Sequence, residues 1–194
     1  MKYFEYENAF SQARLNRYLK ACGGNTSKAL TLYRHNVKLC QKFYGILNIF
    51  EVVLRNAINN HYKTVFNDDD WIEHQLSEGG MLENAPQKLE VTKIIGTMRR
   101  NGQNLLRVFP NRTTGLGQRA IFNELMEIKN FRNRIAHHEA ICFNSNGNID
   151  MTATKSRYSL ILKYINFLGY QSSHLFWGID VFPDSIIAKV EALK

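Results

Sequence analysis

Residues 47–61 read LNIFEVVLRNAINNH, and the apolar positions in this stretch decide the fold class. Leu47, Phe50, Val53, Leu54, Ala57, Ile58 and His61 step by three and four, so a helix places them on one face. Working outward, the chain from Ser27 to Phe66 has no proline and one glycine, Gly45, which predicts one long helix or two abutting near Gly45. Asn25 or Thr26 is the expected N-cap. Gly23-Gly24 stops a preceding helix over 5–21, because glycine accepts the left-handed cap conformation. Asn67-Asp68-Asp69-Asp70 ends the long helix and reads as a solvated loop.

The same periodicity predicts a short helix over 71–78 and another over 87–100, then a mostly loop segment over 101–117. A strong helix runs from Gln118 to about His138, with Ile121, Leu125, Ile128 and Ile135 in one stripe. Residues 143–150 (FNSNGNID) are a loop with an Asn-Gly turn, and 152–169 is helical again. A tail helix over 183–194 opens with proline. No segment sustains period-two alternation, so strands are few or absent. The expected architecture is an all-α helical bundle of about five to seven helices, built as a single domain over 1–194.

Composition narrows the classes. A length of 194 residues fits one domain, and 44% hydrophobic residues supply a core, so disorder is not the default reading. The formal charge of +8 attracts polyanions, nucleic acid first and an anionic membrane surface second. Cys22, Cys40 and Cys142 form no CxxC pair and read as reduced thiols of a cytoplasmic protein. The N-terminus lacks the apolar core of a signal peptide, and no apolar run reaches the roughly 18–20 residues of a membrane span. His61, His74, His137, His138 and Cys142 include no HExxH spacing, so no metal is expected. GLGQR at 115–119 lacks the Lys-Ser/Thr of a phosphate loop, no Gly-x-Ser-x-Gly element occurs, and no cofactor is expected.

Chemistry concentrates in KNFRNRIAHHEAI, residues 129–141. Arg132 carries a planar fork of donors that matches phosphate oxygens, and His137 is of the type that exchanges protons near neutral pH. On a helix Asn133 and His137 share a face, as do Arg134 and His138. An arginine, an amide and one or two histidines are what metal-free RNA cleavage requires. A base takes the 2′-OH proton, the 2′-oxygen attacks phosphorus, a cation stabilises the phosphorane, and an acid protonates the leaving 5′-oxygen. The plainer reading is a helix C-terminus whose cations face the negative end of its dipole.

Arg132-Asn133-Arg134-Ile135-Ala136-His137 also resembles the signature of the HEPN superfamily: Arg, a polar residue, three variable residues, then His. Residues 29–62, with Glu51-x-x-x-Arg55-Asn56, and VFPN at 108–111 resemble elements of the bacterial Abi-like (abortive infection) family within it. The likeness spans roughly residues 27–170 and includes His138-Glu139 directly after the signature histidine. It implies an all-α, HEPN-like fold and a homodimer that unites two Arg/His sets across a cleft. It further implies a metal-independent endoribonuclease acting as a toxin or antiviral-defence effector, with a cognate antitoxin or regulatory protein as a partner. Arg132 and His137 carry over as the catalytic pair, with Asn133 orienting them. His138 is the candidate second proton carrier. Glu51 and Arg55 either brace the motif helix or form an ordinary structural ion pair. Arg112, Arg119, Lys129 and Arg134, with Arg99, Arg100 and Arg107, are the candidate RNA-binding cations. Glu139 stands where some HEPN toxins carry a tyrosine. The alternative function is a non-catalytic interaction module that binds RNA or a partner protein.

Overall fold

The structure is a computed structural model that describes residues 3–80, 82–83 and 105–194. The helix expected over 87–100, and Arg99 and Arg100 with it, lie outside the described residues. Elsewhere the chain is all-α. Its helices are α1 (Tyr3–Phe10), α2 (Gln12–Ala21), α3 (Thr26–Phe66), α4 (Trp71–Leu76), α5 (Gln118–Ala136), α6 (Thr152–Phe167), α7 (Ser172–Leu175) and α8 (Asp184–Glu191), with a 3-10 turn at Leu105–Val108. Among the described residues there is no strand, only an isolated antiparallel bridge between Phe143 and Ile149.

Helix ends follow local chemistry. The helix expected over 5–21 is two, because Ser11 takes a positive φ of 70° and its side chain accepts from the Arg14 N–H, starting α2 afresh. Gly23 and Gly24 then close α2 as a Schellman motif: Gly24 N–H donates to Leu19 O and Gly23 N–H to Lys20 O. Asn25 caps α3 by accepting from the Lys28 N–H at 2.9 Å. From there α3 runs unbroken for 41 residues, through Gly45. The aspartate run is more than a solvated loop. Asp68 accepts from the Asp70 N–H and pairs with the His74 ring at 2.6 Å, while Asp69 pairs with Lys63. Those bonds fold the turn into α4. The four-residue α7 has no periodic signal, and a helix so short cannot produce one.

The chain divides into two compact units, and α3, α5 and α6 each contribute to both. Unit 1 comprises 1–47, 130–159 and 176–194. Its core is a stripe of α3 (Leu32, Asn36, Leu39, Phe43, Ile46) with Phe131 and Ile135 of α5 and Ile186, Ile187 and Val190 of α8. Phe43 meets Phe131 edge to face at 5.1 Å, a geometry that adds about 0.5–1.5 kcal/mol to area burial. Unit 2 comprises 48–129 and 160–175. Phe50 and Leu54 of the opening stretch are buried there with Ile121, Ile128, Ile161 and Ile165. Trp71 packs on Tyr62 at 4.9 Å and donates its indole N–H to Asn59. Tyr164 donates to Glu124, whose carboxylate also receives Lys163. Asn111 ties the VFPN element to the end of α6 through Asn166 O and Phe167 O.

Gly45 has a packing reason within unit 1. A Cβ there would sit 2.7 Å from Val181 Cγ1. Gly45→Ala gains about 1 kcal/mol of helix propensity, but overpacking of this kind costs about 1–3 kcal/mol. The expected outcome is a net loss of about 1 kcal/mol in a urea melt. A raised midpoint would show that Val181 gives way.

Candidate functional site

The motif lies in unit 1 at the C-terminal end of α5, and the helix stops at Ala136, two residues earlier than the periodicity indicates. The stop is a second Schellman closure. Glu139 N–H donates to Arg134 O at 2.9 Å and His138 N–H to Ile135 O at 3.0 Å. In α2 the left-handed position of this closure is Gly23; here it is His138, with φ 57°. A side chain in that conformation costs about 1–2 kcal/mol, so the backbone at His138 is held by what surrounds it.

The holding groups are explicit. Arg134 Nε donates to the Glu139 carboxylate at 3.0 Å, and its Nη2 donates to Ala140 O at 2.9 Å. Asn36 of α3, 4% exposed, accepts the Ile141 N–H on its Oδ1 at 2.9 Å. Thr154 of α6, 1% exposed, donates its hydroxyl to Ile141 O at 2.5 Å. Beyond Ile141, Asp150 N–H donates to Cys142 O and Asn144 N–H to Asn148 O, and the Asn-Gly turn closes at Gly147 with φ 82°. Every residue from Ala136 to Ile141 therefore follows a fixed path. Asn36 and Thr154 are the positioning residues that the motif does not reveal. One signal was available: Asn36 is the lone polar residue in a buried apolar stripe of α3.

Against this frame the motif side chains separate. Arg132, His137 and His138 are exposed, and Asn133 is half-buried. Arg132 lies on α5 five residues before His137, which stands one residue past the helix end. Arg134 is half-buried and bonded within the turn, in the place where a cation also meets the helix dipole. Arg55 and Glu51 do pair, Nη2 to Oε1 at 3.4 Å, as an exposed ion pair on the unit 2 part of α3. Such pairs contribute at most about 1 kcal/mol. Also in unit 2, Arg112 is half-buried and donates to Leu106 O, Arg119 is exposed and Lys129 is half-buried. Tyr44 of α3 is 63% exposed, while Phe43 and Phe50 of the same helix are buried.

The other titratable groups define the background. Burial, then the charges of Lys38 and Lys189, lowers the His35 pKa; burial, then Arg107, lowers that of His61. Hydrogen bonding to Asp68 raises that of His74, and the same bond lowers that of Asp68. Burial pushes the Cys40 thiol up to about 11 and Cys142 to about 12, and it raises Cys22. Among the described residues no three His, Cys, Asp or Glu side chains group as a metal site, and no helix is long and apolar enough to cross a membrane.

Two substitutions test the frame with opposite signs. Asn36→Ala leaves the Ile141 N–H unsatisfied in the core and lowers stability by about 1–3 kcal/mol. His138→Gly relieves the left-handed strain and raises it by about 0.5–1 kcal/mol, after the larger chain entropy of glycine is subtracted. Denaturant midpoints of both variants check these signs; a destabilised His138→Gly would show that the imidazole itself makes a stabilising contact. No protein-family model matches the chain, and no curated protein or solved structure matches it.

Proposed function

We propose that this chain is a metal-independent endoribonuclease of the HEPN, Abi-like type, a cytoplasmic homodimer that acts in antiviral defence or as a toxin. The observation that carries the reading is the exposure of Arg132, His137 and His138 at one helix end whose backbone is fixed on both sides. Exposed groups on a fixed frame are what a polymeric substrate can reach without reorganisation of the site. In the proposed reaction His137 accepts the ribose 2′-OH proton. The 2′-oxygen attacks the adjacent phosphorus, and Arg132 stabilises the charge on the phosphorane oxygens. His138 protonates the departing 5′-oxygen, leaving a 2′,3′-cyclic phosphate. Asn133 keeps the reacting groups in register. A second copy would supply the opposing Arg/His set, and an antitoxin or regulatory protein would act by covering it.

A specific observation favours a second reading. The Arg134 side chain is used to close the helix, bonding Glu139 and Ala140, so part of the basic cluster has a structural reason to exist. In that reading the chain is a non-catalytic module that binds RNA or a partner protein through the same exposed end.

One assay separates the two. Purified protein incubated with single-stranded RNA in EDTA is expected to yield cyclic-phosphate ends, and His137→Ala is expected to lose at least about a hundredfold in rate. A substrate with 2′-deoxyribose at the cut position is expected to resist. Cleavage that persists unchanged in His137→Ala would overturn the assignment.

A further inference from the structure

The most exposed large apolar side chain among those described is not part of the motif. Trp177 is 86% exposed, at the tip of the segment between α7 and α8. The segment around it is not loose. Phe176 is buried and meets Phe182 edge to face at 6.0 Å. Ile179 N–H donates to Phe176 O at 3.0 Å, and Val181 N–H to Ile179 O at 2.9 Å. Val181 packs into the gap left by Gly45 of α3, and Lys42 Nζ holds Asp180 through its carboxylate and its carbonyl oxygen. The indole is presented on a fixed support.

Charges of both signs stand beside it, Asp180 within the segment and the cations of α3 next to it. Arg34, Lys38 and Lys42 recur every four residues on α3, about 6 Å apart along the axis, with Arg34 bonded to the Tyr6 hydroxyl and Lys42 to Asp180. Lys42 is the residue that anchors the Trp177 segment. Lys189 of α8 approaches the same row, since its charge and that of Lys38 both act on His35. Of the nearby acids, Asp180 is held by Lys42 and Glu191 by Lys155, while Asp184 is exposed at the start of α8. Lys38 and Lys189 make no ion pair among the described residues. A two-fold contact centred on these cations would set them against their own counterparts, which repel. A polyanion with an aromatic face has no such conflict.

We propose that Trp177, with Lys38 and Lys189, is a platform for single-stranded nucleic acid, an unpaired base stacking on the indole while its neighbouring phosphates meet the two ammonium groups. The proposal rests on the RNA reading above and extends it by naming a site, outside the motif, that holds the unpaired strand. Bases in a duplex are already stacked and offer no free face.

The chain has two tryptophans, and the other, Trp71, is 2% exposed, so fluorescence quenching reports on Trp177. The probe is a short fluorescein-labelled oligodeoxythymidine, which lacks the 2′-OH and reads binding without cleavage; its duplex with oligodeoxyadenosine is the control. Expected results are quenching by the strand and weaker binding of the duplex. By anisotropy, Trp177→Ala should weaken binding about tenfold, and Trp177→Phe should recover most of the loss. Lys38→Gln with Lys189→Gln should flatten the log-affinity against log-salt slope by about 1.4. Equal affinity for strand and duplex, or unchanged affinity in Trp177→Ala, overturns the platform. So does sedimentation showing a dimer of the protein alone in which Trp177 emission is already that of a buried indole. Strand binding that depends on Trp177 in a protein that leaves RNA intact upholds the platform and overturns the nuclease reading. RNA cleavage with affinity unchanged in Trp177→Ala overturns the platform alone.

Discussion

The backbone of Ile141 is held at both polar atoms by buried side chains, its N–H by Asn36 and its carbonyl by Thr154. Both partners are almost fully removed from water, so each bond is made or lost at the cost of a desolvated polar group. The clamp joins α3 and α6 to the segment that leaves α5. It fixes where α5 must end, and the Schellman closure at residues 136–139 follows from that endpoint. Arg134 then has one available role, bonding Glu139 and Ala140 across the closure. The exposure of Arg132 accords with the same geometry: Phe131 and Ile135 face the core, and Arg132 is turned about 100° from Phe131.

His138 shows how stability and proposed function meet. Glycine occupies the equivalent position at the end of α2, where nothing is asked of the side chain. At the end of α5 a strained histidine stands instead. Strain maintained by an overdetermined surrounding is a frequent property of sites that do chemistry, and here the surroundings that maintain it are identified residue by residue.

The helical class was legible because long amphipathic segments write their period directly. Leu47, Phe50 and Leu54 of the opening stretch are buried as their spacing requires, and Asn25 and the Gly23-Gly24 pair mark their helix ends by local chemistry. Other features are settled by partners distant in sequence. The Asn36–Ile141 bond spans 105 residues, and no window of the sequence contains both ends. The break at Ser11 depends on a single φ that serine does not announce. At the motif, spacing singled out residue types suited to phosphodiester chemistry, but Arg134 and Arg132 look alike in a string. Only their surroundings separate a turn clamp from an exposed cation.

Cys142 follows Ile141 directly and is completely buried, its thiol held far above the range in which thiolate forms at neutral pH. Thiol reagents attack the thiolate of an accessible sulfur, so Cys142 is protected while the Ile141 clamp is closed. Its modification rate then becomes a clock on the opening of this corner. Under conditions where opening equilibrates, the rate reports the local free energy that keeps the motif end in place, separately from global unfolding.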